Sequence, residues 1–120
     1  MVEEDILNMY SAIVAELRIL PEVCFFAVVK MDDITERWSL LFGLKDANDL
    51  DKREKVFQSI RKIIENSLTL EERQNIARIG LFSTTEHIVE DFAKFDEGEI
   101  VENIKANGNF VHKGYILISR

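Results

Sequence analysis

The stretch that most limits how this chain can fold is Val23 to Lys30, Val-Cys-Phe-Phe-Ala-Val-Val-Lys, bounded by Pro21-Glu22 and Met31-Asp32-Asp33. Its seven consecutive apolar residues are the longest such run in the sequence. The run is too short to span a bilayer, and too rich in β-branched and aromatic residues to favour a helix. Apolar at both odd and even positions, it predicts a strand covered on both faces, near the middle of a sheet. Tyr115-Ile116-Leu117-Ile118 has the same two-sided character and is expected to join that sheet as a second interior strand.

Around this centre the punctuation predicts alternating elements. Tyr10, Ile13, Val14 and Leu17 follow Ile6 at three- and four-residue spacing, the apolar stripe of a helix over 3–19. Glu3, Glu4 and Asp5 oppose the positive end of its macrodipole, and Pro21 disfavours helical geometry at Leu20. A second strand is expected over Arg37–Leu44, antiparallel to the first through a polar link over 32–36. The segment 46–51 reads as a loop in which Asp51 and Glu54 have capping-box spacing. A helix then runs to about Asn66 on Val56, Phe57, Ile60, Ile63 and Ile64. Thr69 with Glu72 opens another helix, to about Arg78, and Ile79–Phe82 reads as a short strand. Ser83 with Glu86 opens a last helix, to about Phe95.

Asn107-Gly108 is the preferred pair for a type I′ hairpin turn. A two-residue loop there places Ala106 opposite Asn109, Ile104 opposite Val111, Glu102 opposite Lys113 and Ile100 opposite Tyr115. Apolar and opposite-charge partners fall together in that register. The expected fold is therefore a single α+β domain over 1–120, with a mostly antiparallel sheet of about 4–5 strands and helices packed on it. Its element order is α-β-β-α-α-β-α-β-β. The expected core includes Tyr10, Ile13, Leu17, Phe25, Ala27, Phe42, Phe57, Ile60, Ile64, Phe92 and Leu117.

Composition narrows function mainly by exclusion. A net charge of −7 disfavours binding to duplex DNA, because phosphate neutralisation needs clustered Lys and Arg. The acidic first residues lead into no apolar signal segment, and the single cysteine, Cys24, excludes an internal disulfide. Cys24 reads as a buried structural thiol, and a cytoplasmic, reducing setting with no membrane association is expected. The charge is uneven: residues 52–78 hold 7 basic and 4 acidic side chains, whereas residues 1–51 hold 4 and 11.

Neither nucleophile elbows nor phosphate-binding glycine loops occur. His87, Glu90 and Asp91 stand at helical i, i+3 and i+4 spacing and are the weak candidates for metal binding or acid–base chemistry, with His112 as the other histidine. Such spacing is also ordinary on a solvated helix face, so no catalytic residue, metal or cofactor is assigned. Lys52, Lys55 and Lys62 share a helix face flanked by Arg53 and Arg61. With Arg37 and Trp38, a pair of residue types common at interfaces, they are the candidate partner-binding residues. The reading adopted is a small, non-enzymatic intracellular interaction or regulatory domain whose partner is a second copy, as a homodimer, or another protein. The alternatives are an enzyme using His87, Glu90 and Asp91, and weak anion or phosphate binding on the basic helix 52–62.

Overall fold

The computed structural model describes residues 3–31, 34–106 and 108–120. Its elements are α1 (Glu3–Leu17), β1 (Val23–Met31), β2 (Ile34–Leu44), α2 (Leu50–Ser67), α3 (Leu70–Arg73), β3 (Ile76–Ser83), α4 (His87–Ala93), β4 (Ile100–Ala106) and β5 (Asn109–Ser119). The order matches the expectation, and the five strands form one sheet in the order β3-β2-β1-β5-β4.

β1 occupies the centre of the sheet because both of its faces must be covered. On one face α1 and α2 bring Tyr10, Ile13, Leu17, Val56, Ile60 and Ile64 onto Phe26, Val28, Leu40, Phe42 and Tyr115. On the other, Ile88, Val89 and Phe92 of α4 pack with Phe25, Ala27, Val29, Leu41 and Ile116. β5 pairs with both β1 and β4, which accounts for its own two-sided apolar run. Phe57 and Leu117, expected in the core, are only half-buried. Cys24 is half-buried too, at a register shift between Val23 and Phe25 that turns it out of the packed alternation.

The hairpin register is the expected one: Ala106↔Asn109, Ile104↔Val111, Glu102↔Lys113 and Ile100↔Tyr115. The Lys113 ammonium stands 3.4 Å from the Glu102 carboxylate. Gly108 has φ +79°, a left-handed value suited to glycine, whereas Asn107 lies outside the described residues.

Four expectations are corrected. The sheet is mixed rather than mostly antiparallel, because β3 runs parallel to β2, with Leu40↔Ile79 and Phe42↔Leu81 in register. The α2–α3 crossover carries the chain back across the sheet, which is what parallel pairing of consecutive strands requires. The cap of α2 is Asp49, whose carboxylate accepts from the amides of Asp51 and Lys52, and not Asp51. The Thr69–Glu72 capping box forms in both directions, yet α3 ends at Arg73 instead of near Arg78. Pairing of Ile76–Ser83 with β2 claims the residues that would have extended it. At Ser83 only half of a box forms: the Glu86 carboxylate accepts from the Ser83 amide, and α4 begins at His87 and ends at Ala93, short of Phe95.

Arg120 fastens the turn between α1 and β1. Its guanidinium donates to the carbonyls of Val23 (2.9 Å), Leu20 (2.8 Å) and Arg18 (3.2 Å).

Candidate functional site

The two edges of the sheet differ in chemistry. β4 carries exposed Glu102, Asn103 and Lys105, and Asn103 has φ +53°. Charge and a local kink are devices that keep a strand edge from pairing further. β3 is Ile-Ala-Arg-Ile-Gly-Leu-Phe-Ser, with Arg78 its one charged residue. Its outer edge has no neighbouring strand among the described residues, and most of its side chains are half-exposed.

Alternation along β3 divides its side chains between the two faces. Ile79 and Leu81, opposite Leu40 and Phe42, lie on the face that α2 covers. Arg78, opposite Ser39, turns to the other face, where its Nε donates to Ser39 Oγ at 3.2 Å and a terminal nitrogen meets Met31 Sδ at 3.6 Å. α2 has more apolar surface than its core stripe uses. Val56, Ile60 and Ile64 are buried, while the next row around the helix, Leu50 and Phe57, is not, and Leu50 is 75% exposed. Between that row and β3 runs an open groove of two adjoining cavities, about 430 Å³ each, which share Phe57 and Ile79 as lining.

Arginines furnish its polar part. Arg53 crosses the groove to donate to the Leu81 carbonyl at 3.0 Å. Arg61 lies over the Phe57 ring, 5.8 Å from its centroid, and 3.8 Å from the Glu65 carboxylate. Arg73, delivered by the last turn of α3, lines the same cavity, and its Nε is buried with no hydrogen-bond partner among the described residues. A buried donor on a cation left without an acceptor is costly, so this one is conspicuous.

The candidates from sequence are distributed differently. Lys52, Lys55 and Lys62 are exposed, but Lys55 and Lys62 sit well around the helix from Phe57, away from the groove, and Lys52 stands 3.7 Å from Asp46. Arg37 is exposed. Trp38, a candidate contact residue, is core: it is 4% exposed, its ring centroid is 5.6 Å from that of Tyr115, and the Lys30 ammonium caps it at 4.9 Å. Of the α4 trio, His87 and Glu90 are exposed and Asp91 is half-buried. Among the described residues no three of His, Cys, Asp and Glu are arranged to hold a metal. His112 stands edge-to-face with Phe110 at 4.8 Å.

The residues that sequence reasoning did not single out are therefore Phe57 as a surface residue, Ile79, Leu81 and Arg73. Two signals pointed toward them: the positive segment 52–78, and a row of apolar residues on helix 50–67 wider than one core stripe needs.

The molecule is thus a mixed α+β domain, helices on both faces of its sheet, with one edge guarded and the other open over an arginine-rimmed groove. Compared with known proteins, the chain matches no family model, no curated relative and no solved structure. No helix among the described residues is long and apolar enough to cross a membrane.

Proposed function

We propose that this chain is a non-enzymatic protein-interaction domain that receives its partner along the β3 edge and over the groove between β3 and α2. The observation that supports this reading is the contrast between the two sheet edges. An edge strand with no neighbour on its outer side among the described residues, beside half-exposed Ile79, Leu81 and Phe57, is a template for one more strand, and strand addition is a common mode of peptide capture. The lysine face of α2 is turned away from the groove, so it contributes to steering toward acidic partners more than to contact.

A homodimer is the other arrangement in which the open edge is covered, by β3 of a second copy. Light scattering at high micromolar concentration separates the two. In the homodimer, mass doubles and Phe57→Asp returns the protein to a monomer. In the hetero-complex, the free chain is monomeric. For either arrangement, amide hydrogen exchange across Ile76–Ser83 is expected to slow when the partner is bound. Protection confined to the face of Lys52, Lys55 and Lys62, with β3 unchanged, refutes the proposal. Replacing those three lysines by glutamate is expected to slow association and leave the bound lifetime nearly unchanged.

A further inference from the structure

The lining of the groove says what kind of segment it fits. Its floor, Phe57, Ile64 and Ile79, is apolar, while its charged lining is four arginines, Arg53, Arg61, Arg73 and Arg78, against two glutamates, Glu54 and Glu65. This positive lining lies in a protein of net charge −7. Three of the arginines are engaged inside the chain, Arg53 by the Leu81 carbonyl, Arg61 by Glu65 at the long distance of 3.8 Å and Arg78 by the Ser39 hydroxyl. Arg73 is not: its buried Nε–H has no acceptor among the described residues. A carboxylate suits that donor, because it can take two parallel N–H bonds from one guanidinium.

We propose, building on the interaction reading above, that the groove takes an extended acidic–apolar segment of another protein. The segment adds to β3 as a further strand, lays alternate apolar side chains over Phe57 and Ile79, and sets an aspartate or glutamate on Arg73. At ~3.3 Å per residue, the stretch from Ile76 to Leu81 accommodates roughly five or six residues of such a strand. Phosphate alone would leave the apolar floor unused. A second copy fits poorly, since its own β3 contains Arg78 and no carboxylate, and a twofold contact opposes one arginine set to the same set.

The test selects binders to the full chain from a displayed library of random seven-residue segments. It then measures the selected peptides by fluorescence anisotropy and by amide exchange. The expected result is a pattern of alternating apolar residues with Asp or Glu toward one end, and slowed exchange in Ile76–Ser83. Changing the acidic residue of a selected peptide to lysine, or the protein by Arg73→Gln, is expected to weaken binding about tenfold or more. Lys55→Gln with Lys62→Gln should change it less than about twofold. Thermal melting checks that Arg73→Gln folds, and the lysine-substituted peptide carries the same test on unaltered protein. Selected peptides that protect β3 but contain no carboxylate, or bind equally after the acidic residue is replaced, overturn the acidic specificity and leave the interaction reading standing. Peptides that protect no β3 amide overturn both. A dimer closed through β3 that excludes every peptide overturns the assignment to another protein.

Discussion

Replacing Tyr10 by phenylalanine should stabilise this protein, although it removes a polar group from a tightly packed site. Tyr10 is fully buried between α1 and the sheet, edge-to-face with Phe26 at 6.2 Å, and its hydroxyl has no hydrogen-bond partner among the described residues. Burying an unpartnered hydroxyl costs ~1–3 kcal/mol on mutational scales. The void left by one oxygen costs back roughly 0.3 kcal/mol, taking ~24 cal/mol per Å³ over ~12 Å³. The balance is a gain of about 1–2 kcal/mol for Tyr10→Phe. With an unfolding entropy of ~2.1 cal/mol/K per residue, that is a rise in Tm of roughly 4–8 °C for a chain of 120 residues. The same site gives an alkaline signature. Burial, and secondarily the Glu72 carboxylate, push the Tyr10 phenol well above its ordinary value of 10.0. Below that value the phenol is protonated in both states; above it the unfolded chain ionises while the folded chain holds its proton. The wild type therefore loses stability as pH rises past about 10, and Tyr10→Phe does not lose that part. The gap between them should widen by up to ~1.4 kcal/mol per pH unit. Tyr115 and the lysines are common to both proteins and cancel. Urea melts of the two proteins from pH 8 to 11 provide the measurement. A variant less stable by more than ~0.5 kcal/mol, about half a typical net hydrogen bond, or a gap that stays constant with pH, refutes the reasoning.

Gly43→Ala should destabilise by ~2–3 kcal/mol in urea melts, since its new Cβ would lie 2.9 Å from Phe25 Cβ and 3.0 Å from Val89 Cγ1, both in packed core. Arg120→Ala should cost ~2 kcal/mol by the same assay, because three backbone carbonyls lose one guanidinium, and Arg120→Lys should recover little of it. Glu97 accepts from Arg18 at 2.8 Å and from the Ser119 amide at 3.1 Å, which hold its carboxyl below the ordinary range. Its contribution is present above a glutamate's unfolded value and is lost as pH falls through the lower folded one. Glu97→Gln should therefore flatten the fall of the urea midpoint on acidification below about pH 4.3, by less than ~1 kcal/mol because the pair is exposed.

Local chemistry decided a good deal here before any tertiary contact was considered. Asn107-Gly108 set the register of the last hairpin, because side chains of a two-residue loop's flanking strands pair with no freedom to slip without moving every apolar residue to the wrong face. The two-sided runs in Val23–Met31 and Tyr115–Ile118 determined which strands lie inside the sheet, since only interior strands have both faces covered. The Thr69–Glu72 box fixed where a helix starts. It could not fix where that helix stops: Ile76–Ser83 was free to continue the helix or to pair, and β2, more than thirty residues earlier in the chain, decided it. Pairing with β2 also made the sheet mixed and left β3 at its edge, and with that the candidate site came into being. In the sequence Phe57 looks like core and Arg73 like the polar end of a helix. Only the crossover of α2 and α3 sets Phe57 beside an edge strand and carries Arg73 to the same groove, because the distance between residues so far apart in sequence is a property of packing and not of spacing.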